Sequence, residues 1–280
     1  MAHSVVAEAE AILDEEFRVL DKGFVRLVDY LGSDDRIVQS ARVSYGRGTK
    51  TKRQDQGLIN YLMRNRHTSP FEQVVLTFHA KMPIFVARQW VRHRTASLNE
   101  ISGRYSVMED EFYIPDAEHV SAQAVDNKQG REGQAFPPEL VEDIQARLAD
   151  GQQRGYREYE SLLETGLARE LSRINLPLSL YTQWYWRIDL HNLFHFLALR
   201  MDSHAQYEIR AYANVMCEIT EKVAPIATAA FREHMLGGES FSATEMVALR
   251  ALAAGGTVDD AAEQAGITGK ALERFRGKLA

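Results

Sequence analysis

Residues 88–106 read RQWVRHRTASLNEISGRYS, and this stretch concentrates cationic, hydroxyl and amide side chains. On a helix, Arg88, Gln89 and Arg92 would share one face that carries two cations and an amide. Trp90 and other apolar residues are interleaved with the charges, which a fully solvated loop would not require. Arginine forks and hydroxyls in a half-buried site suit an anion attached to a planar heterocycle. The stretch therefore predicts a site for such a ligand, with a structural network of arginines and carboxylates as the alternative.

The composition of the whole chain is that of an ordinary globular protein. Its 280 residues are 45% hydrophobic and 26% charged, with a formal net charge of −6. This balance excludes a disordered chain or a fibre and argues against a protein that coats nucleic acid, which needs a broad basic face. No apolar run is long enough to cross a bilayer, and the N-terminus lacks the basic region of a signal sequence. With a single cysteine, Cys217, no internal disulfide can form, so we expect a cytoplasmic protein with no membrane partner.

Local patterns predict a mixed α and β fold without βαβ repetition. Neither a dinucleotide fingerprint nor a P-loop occurs, so the usual nucleotide-binding folds have no motif in this chain. The residue 116–138 segment is polar and rich in Gly and Gln, which is typical of a surface excursion. The predicted elements are a hairpin over 19–31, strands over 73–81 and 104–114, and helices over 4–17, 54–66, 84–92, 138–164 and 184–223.

The last of these predicted helices carries a second cluster of polar side chains. His191 and His195 would share one face because they are four residues apart, and the same spacing relates Arg200 to His204. A zinc site of the His-Glu-x-x-His type needs a glutamate after the first histidine, but Asn192 stands there. We therefore predict no metal site. Hydrogen bonds from the imidazoles to a bound ligand and plain core packing both remain open.

No nucleophile with an activating partner can be identified. Cys217 has no basic residue beside it that would lower the pKa of its thiol, so we interpret it as structural. Ser102 offers a hydroxyl, but the sequence assigns it no His-Asp pair. His67 precedes a proline turn and could either serve a site or cap a helix.

The C-terminal part of the chain reads as a separate helical segment. A glycine pair at 237–238 marks a break, and residues 243–280 then read as short helices that open on a capping box of Ser242 and Glu245. Residues 261–268 look like the corner of a helix-turn-helix. The segment after residue 238 carries six acids and five bases, so we expect it to pack on the body or on a partner subunit and not to bind nucleic acid.

Several sequence blocks resemble the flavin-dependent thymidylate synthases. The signature of that family is Arg-His-Arg-x7-Ser, which this chain carries from Arg92 to Ser102. The resemblance covers roughly residues 18–236. Further blocks occur in the order of the family: LDKGFV at 20–25, HTSPFE at 67–72, PIFVARQW at 83–90, NEISGRYS at 99–106, RINLPL at 173–178 and LRMDSHAQ at 199–206.

The resemblance implies an α/β fold with a central sheet and long helices, assembled as a homotetramer whose sites are shared between subunits. It implies three segments: an N-terminal helical extension over 1–17, the synthase domain over 18–236 and a C-terminal helical extension over 237–280. Members make dTMP and tetrahydrofolate from dUMP, with 5,10-methylenetetrahydrofolate as carbon donor, FAD as cofactor and NADPH as the reductant of the flavin. The small molecules dUMP, folate and NADPH are the partners that follow.

The resemblance also carries residue roles onto this sequence. Arg200 would be catalytic, because a guanidinium near N3 of the uracil favours ionisation there and raises the electron density at C5. His67 would contact the flavin or control access. The dUMP site would include Gln89, Trp90, Val91, Arg92, Glu100, Ile101, Ser102, Gly103, Arg104, Arg173 and Arg200. The FAD site would include Ser69, Arg92, His93, Arg94, Asn99, Glu100, Asp189, Leu190, His191, His195 and His204.

The sequence departs from some members at three of these positions, and two other functions compete with the enzyme. Some members carry Asn where Asp189 and His195 stand, and Arg where His191 stands. One rival is a regulator that senses dUMP or FAD and binds DNA through residues 242–280. The other is a thymidylate synthase that uses an enzyme thiol and no flavin, which turnover by a Cys217→Ala variant would eliminate.

Overall fold

The computed structural model describes residues 5–43, 52–123 and 131–279. The chain divides into two compact units, Met1–Phe231 and Arg232–Ala280. None of the helices in the described part of the chain has the length and apolar character needed to cross a membrane.

A five-stranded antiparallel sheet forms the centre of the first unit. Its strands are β1 (Phe17–Val19), β2 (Gly23–Leu31), β3 (Val75–Pro83), β4 (Ser97–Glu100) and β7 (Tyr181–Asp189), in the spatial order β1-β2-β3-β7-β4. β1 and β2 form the predicted hairpin, and β3 confirms the predicted strand. β7 pairs with β3 over its whole length, from Tyr181 opposite Pro83 to Asp189 opposite Val75. The mixed α and β fold class is confirmed.

Helices pack against this sheet. The first unit contains α1 (Ala7–Glu10), α2 (Asp34–Arg42), α3 (Lys52–Arg64), α4 (Ile84–Trp90), α5 (Pro138–Glu164), α6 (Arg169–Ser172), α7 (Leu190–Arg200), α8 (Tyr207–Val223) and α9 (Pro225–Phe231). The predicted helix over 54–66 is confirmed as α3, and that over 138–164 as α5. α5 begins at the second proline of the Pro137-Pro138 pair and is followed by Gly166 with a positive φ, a conformation that glycine adopts without strain.

Three tryptophans form the centre of the core beneath the sheet. On β7 the side chains alternate, so that Trp184, Trp186 and Ile188 are buried while Tyr185 and Arg187 are exposed. The ring of Trp90 lies 5.4 Å from that of Trp184 and 5.3 Å from that of Trp186, nearly perpendicular to both. Each buried indole removes roughly 150–250 Å² from water, so this cluster holds α4 firmly against β7.

The predicted single helix over 184–223 is wrong. The chain there forms the end of strand β7, then α7, then a turn, then α8. Residues 184–187 pair with strands on both sides of β7 and residues up to 189 pair with β3, and this pairing outweighs their helix propensity. α7 ends at Arg200, so His204 lies in the following turn and does not share a helical face with it.

The predicted strand over 104–114 is also wrong. The strand on that edge is β4, and Phe112 makes only a single bridge to Leu180. The hydroxyl of Tyr159 accepts from the Met108 amide (3.0 Å), and that of Tyr156 donates to the Met108 carbonyl (2.9 Å). α5 therefore supplies hydrogen bonds that a neighbouring strand would otherwise provide.

Three further boundaries differ from the predictions. The N-terminal helix predicted over 4–17 spans only Ala7–Glu10, and Asp14 beyond it has a positive φ of 59°, which ends helical geometry. The helix predicted over 84–92 ends at Trp90, so Arg92 lies beyond it. Within the polar excursion, β5 (Ser121–Gln123) pairs with β6 (Arg131–Ala135), while residues 124–130 lie outside the described residues.

The second unit is a small helical domain with its own core. It begins with a π-helical turn over Arg232–Leu236 and continues with α10 (Ala243–Ala253), α11 (Val258–Gln264) and α12 (Lys270–Gly277). The capping box of Ser242 and Glu245 is confirmed at the start of α10. The short helices predicted over 243–280 are thereby confirmed for the described residues. Ala248, Ala261, Ala262, Ile267 and Phe275 are buried together.

Candidate active site

A cavity of about 290 Å³ opens beyond the end of α4 and beside α7. It gathers three consecutive residues of the signature and four residues of α7, three of them from the last two turns of that helix. These groups are far apart in sequence and meet because β7 delivers α7 to the edge of the Trp90 cluster. The lining residues are Arg92, His93, Arg94, Thr95, Ile188, Asn192, His195, Leu199 and Arg200.

Arg200 is held in this cavity by two hydrogen bonds. Its Nε donates to His93 Nε2 (3.1 Å), and its Nη2 donates to the backbone carbonyl of Gln89 (3.2 Å). Burial lowers the pKa of the guanidinium from its usual value. An arginine starts from so high a pKa that it stays a cation at neutral pH. The cavity therefore contains a positive charge at a fixed position. These two hydrogen bonds use only part of the N–H donors of Arg200.

His93 is neutral in this setting. Burial, together with the charge of Arg200, lowers the pKa of its imidazole to about 4. Since Nε2 accepts the bond from Arg200, the single ring proton is on Nδ1. The ring also packs edge-on against Phe196, with centroids 4.9 Å apart, and lies 5.7 Å from the ring of His195. A neutral imidazole at this point orients the guanidinium without competing with it for an anion.

Asp189 is the residue at which β7 becomes α7. Its carboxylate accepts from the backbone amide of Asn192 (2.9 Å) and from the Asn192 side chain (2.7 Å), which caps the helix. His191 is half-buried in the first turn and His195 is exposed one turn later. Leu190 is fully buried in the core, so its side chain is not available to a ligand. The first two turns of α7, with their cap, thus offer one carboxylate engaged in capping and two imidazoles.

The second half of the signature forms strand β4 and the turn after it. Asn99 and Glu100 lie on β4, and Thr182 donates to Glu100 Oε1 (2.6 Å). The Ser102 hydroxyl accepts from the Arg104 amide (3.3 Å). This bond occupies the hydroxyl as an acceptor in a turn. No base capable of activating Ser102 appears among its hydrogen-bond partners within the described part of the chain.

Two arginines flank this turn. The guanidinium of Arg104 pairs with Glu170 at 3.2 Å, with both side chains more than half exposed. Arg173 follows α6 and reaches Gly103, where an added Cβ would lie 3.1 Å from Arg173 Cδ and 2.9 Å from Met108 Sδ. With glycine at 103, the side chains of Arg173 and Met108 lie close to the backbone of the signature, and a larger residue would make them shift. Arg173 itself is exposed.

A second cavity, of about 620 Å³, is bounded by α2, α3 and the His67–Gln73 segment. His67 and Ser69 both line it, together with Arg42 and Tyr61. The ring of His67 lies 5.8 Å from that of Tyr61 in an edge-on arrangement. No described residue lines both cavities, so those expected site residues that line a cavity fall into two separate groups on one chain.

The remaining expected residues have other positions. The side chain of Trp90 is fully buried in the core, and Val91 is half-buried directly after α4, so Trp90 could offer a ligand only its backbone. His204 is exposed and pairs with Asp202 (2.9 Å between Nδ1 and Oδ1). The structure thus brings Arg92, His93, Arg94, His195 and Arg200 into one cavity and leaves His204 on the surface.

The donor set of the first cavity fits a flavin nucleotide. Arginines supply forks for a pyrophosphate, while Asn192 and the imidazoles supply hydrogen bonds for the carbonyls and nitrogens of an isoalloxazine. Across 5–43, 52–123 and 131–279, no group of three His, Cys, Asp or Glu side chains is suited to hold a metal ion. Cys217 is buried in α8, away from the residues that line the first cavity.

Two polar residues at the start of α8 were not predicted from the sequence. Gln206 and the buried Glu208 connect through hydrogen bonds to Gln89. The block LRMDSHAQ ends at Gln206, which was a signal, but the predicted continuous helix placed residue 206 in mid-helix. Thr182 was missed because the chain before residue 184 was not assigned to a strand.

Known proteins are similar to this chain in sequence and in fold. Residues 26–226 match the family described as thymidylate synthase complementing protein, and residues 239–280 match the thymidylate synthase ThyX C-terminal domain. The chain belongs to the ThyX family of flavin-dependent thymidylate synthases. It is 60% identical over 267 residues to the flavin-dependent thymidylate synthase of Treponema denticola, which covers 95% of this chain and 98% of that protein.

Another ThyX protein and a solved structure are also similar to this chain. The chain is 56% identical over 261 residues to the flavin-dependent thymidylate synthase of Thermus thermophilus, covering 93% of this chain and 94% of that protein. It is similar to the crystal structure of a UMP/dUMP methylase, PolB from Streptomyces cacaoi, bound with 5-Br dUMP. That structure has a TM-score of 0.71 and 33% identity, and the match covers 78% of this chain and 98% of that chain.

Proposed function

We propose that this ThyX chain converts dUMP to dTMP, with 5,10-methylenetetrahydrofolate as the carbon donor and FAD reduced by NADPH. The observation that carries the proposal is the position of Arg200. Two hydrogen bonds hold its guanidinium in a cavity lined by the three basic residues of the signature. FAD, when bound, supplies the redox chemistry that this chain's own side chains lack.

Arg200 is the catalytic residue in this proposal. A fixed guanidinium next to the uracil stabilises negative charge as the proton leaves N3, which raises the electron density at C5, the atom that receives the carbon. Because His93 and the Gln89 carbonyl already hold the side chain, little reorganisation is needed when that charge develops. The neutral state of His93 keeps a second positive charge away from this donor pair.

The turn after β4 and its neighbours form the dUMP site. A net charge of −6 means that the phosphate must be held by a local cluster of cations. Arg92, Arg104 and Arg173 supply that cluster, and Ser102, with backbone amides of 101–104, supplies hydrogen bonds. The remaining members of this site are Gln89, Trp90, Val91, Glu100 and Arg200, of which Trp90 acts through its backbone.

The FAD site draws on both cavities. Arg92, His93, Arg94 and His195 line the first, and Ser69 lines the second. The other members of the proposed site are Asn99, Glu100, Asp189, Leu190, His191 and His204. His67, beside Ser69, contacts the flavin or controls access. Leu190 takes part through its backbone because its side chain is buried.

We propose further that the chain acts as a homotetramer whose sites are shared between subunits. The separation of the expected FAD residues into two cavities without common lining residues supports this arrangement. The exposure of Arg173 supports it as well, because a phosphate site at this position needs another surface to exclude water. A cytoplasmic location fits a chain with a single cysteine.

The activity is tested with purified protein, dUMP, methylenetetrahydrofolate and NADPH under low oxygen, with and without added FAD. dTMP that forms only with flavin supports the proposal. If flavin and dUMP bind but no dTMP forms, the proposed reaction is refuted and the regulator becomes the better interpretation.

Site sharing is tested by mixing subunits. Arg94→Ala alters the first cavity and Ser69→Asp the second, and each homo-oligomer should be impaired in FAD binding. If sites combine residues from two chains, mixed oligomers contain some sites with both halves intact, and activity returns. Mixtures no more active than the separate variants would show that each chain forms its site alone.

A further inference from the structure

Four side chains form a continuous hydrogen-bond chain that ends at Gln89. The Tyr113 hydroxyl donates to Glu208 Oε1 (3.1 Å), and Gln206 Nε2 donates to Glu208 Oε2 (2.8 Å). Gln89 Nε2 in turn donates to Gln206 Oε1. The chain crosses from the start of α8 to the last turn of α4, where the Gln89 backbone carbonyl already accepts from Arg200.

This chain has a fixed direction. An ionised carboxylate can only accept hydrogen bonds, so the amide of Gln206 must turn its NH2 group toward Glu208. The carbonyl of Gln206 then faces Gln89 and requires the NH2 group of Gln89. It follows that the carbonyl oxygen of Gln89 is the end of its amide directed away from Gln206. Without the carboxylate, either amide could rotate and exchange donor for acceptor.

The surroundings of Glu208 fix the position of the carboxyl group that sets this direction. Its side chain is buried and accepts hydrogen bonds from Tyr113 and Gln206. It lies in the first turn of α8, a helix of 17 residues, where backbone amides and the helix dipole stabilise a negative charge. A buried carboxylate with such partners is expensive to disturb, so it can orient neutral amides reliably.

We propose that Glu208 and Gln206 are positioning residues that present the Gln89 carbonyl to dUMP as a hydrogen-bond acceptor. The inference rests on the proposed function, since it takes dUMP as the ligand near Gln89. dUMP carries two donors at neutral pH, the N3–H of the base and the 3′-hydroxyl of the sugar. The acceptor on Gln89 takes one of them, next to the guanidinium of Arg200.

The first test is the Glu208→Gln variant, measured as the Kd of the FAD-loaded protein for dUMP. The substitution keeps the shape but lets the amide at 206 turn either way, so the Gln89 amide no longer has a fixed orientation toward the substrate. We expect the Kd to rise about fivefold to tenfold, the size of one hydrogen bond between neutral groups. FAD content should change little, while the melting temperature should fall because a buried, hydrogen-bonded carboxylate is replaced.

Tyr113→Phe is the matched control. It removes a hydrogen bond to the same carboxylate and leaves the acceptor for Gln206 in place. We expect a Kd for dUMP within about twofold of that of the original protein, since Tyr113 does not fix the orientation of the Gln206 and Gln89 amides. An equal loss of affinity in both variants would overturn the proposal, because it would reduce Glu208 to a packing role.

A swapped pair tests direction itself. Combining Gln206→Glu with Glu208→Gln moves the acceptor-only group one step along the chain, where it still accepts from Gln89. We expect this double variant to recover most of the affinity that Glu208→Gln loses. A double variant that binds dUMP no better than Glu208→Gln would overturn the proposal.

Two analogues identify the donor and do not depend on the swapped pair folding. 3-Methyl-dUMP lacks the N3 donor, and 2′,3′-dideoxyuridine monophosphate lacks the 3′-hydroxyl. The analogue without the relevant donor should lose about fivefold to tenfold in affinity for the original protein but much less for Glu208→Gln. If both analogues show the same losses in the two proteins, the inference is refuted.

These measurements separate the inference from the proposed function. They record binding and need no turnover. Original protein that fails to form dTMP would refute the proposed reaction. Original protein that forms dTMP, with Glu208→Gln binding dUMP equally well, would refute only the role of Glu208.

Discussion

The two arginine groups of the site differ in how they are held. Arg200 is half-buried and its guanidinium is tied to an imidazole and a backbone carbonyl. Arg173 is exposed and approaches the signature through contact with Gly103. A guanidinium with fixed direction suits the stabilisation of charge at one atom, whereas an exposed one suits general attraction of a phosphate.

The difference assigns the chemical step to Arg200 and the binding of the substrate phosphate to Arg173. Interactions that strengthen only as the reaction proceeds raise turnover, while interactions present throughout bind substrate. We therefore expect the first cavity to govern kcat and the turn at 102–104 with Arg173 to govern affinity for dUMP. Three substitutions and one series of thermal melts at varied pH test that division, beginning with the largest expected effect.

Arg200→Ala should lower kcat by about 100-fold or more, the size typical of removing one well-placed donor at a developing anion. FAD should stay bound, because the other cavity residues remain. Turnover is measured as dTMP formation and flavin content by absorbance. Arg88→Ala, which removes an exposed guanidinium from α4, is the control and should leave kcat unchanged. Near-normal kcat in Arg200→Ala would end the distinction between the two groups.

Arg173→Ala should raise the KM for dUMP about tenfold and leave kcat within a factor of about three, since a phosphate contact acts throughout the reaction. Arg154→Ala, an exposed arginine on α5 that pairs with Asp150, is the matched control. Steady-state kinetics at varied dUMP gives both constants. A fall in kcat with no rise in KM would assign Arg173 to the chemistry instead.

His93 should make the protein less stable as the pH falls from about 6.5 to about 4. Its pKa is about 4 in the fold, below the usual value of 6.5, so in this window the unfolded chain binds a proton that the folded chain does not. The loss should be on the order of 1 kcal/mol for a half-buried group screened by solvent. Thermal melts of the original protein and His93→Asn at pH 4 to 7 measure it. Parallel curves for the two proteins would contradict this role.

Cys217→Ala should give the smallest effect on the reaction. The thiol is buried within the core and lies outside both groups, so turnover should stay within about twofold while some packing is lost. The measurement is kcat beside a thermal melt. Loss of dTMP formation by a folded variant would revive a mechanism based on an enzyme thiol.

Local sequence patterns predicted those helices and strands whose boundaries or type depend on residues within or beside the element. The Pro137-Pro138 pair and Gly166 delimit α5, and the β-branched and aromatic residues of β3 predict its strand. Strand β7 was missed because its partners lie about one hundred residues earlier in the chain, and no proline or glycine separates it from α7. Non-local pairing of this kind leaves no local mark.

The site was predictable to a similar degree. The signature led to Arg92, His93 and Arg94, and α7 does bring His195 and Arg200 to the same cavity. The polar chain through Gln206 and Glu208 could not be predicted, because it depends on the turn that separates α7 from α8. The roles expected for individual FAD and dUMP residues stay predictions.

The cap at Asp189 has a consequence for the rotational phase of α7. Each residue of an α-helix turns its side chain by about 100° relative to the one before, so the residue at which a helix starts decides where all later side chains point. Asp189 sets that starting residue by capping through Asn192. A start displaced by one position would rotate His195 and Arg200 together away from the cavity. A single carboxylate at the end of a strand therefore determines which α7 side chains face the cavity.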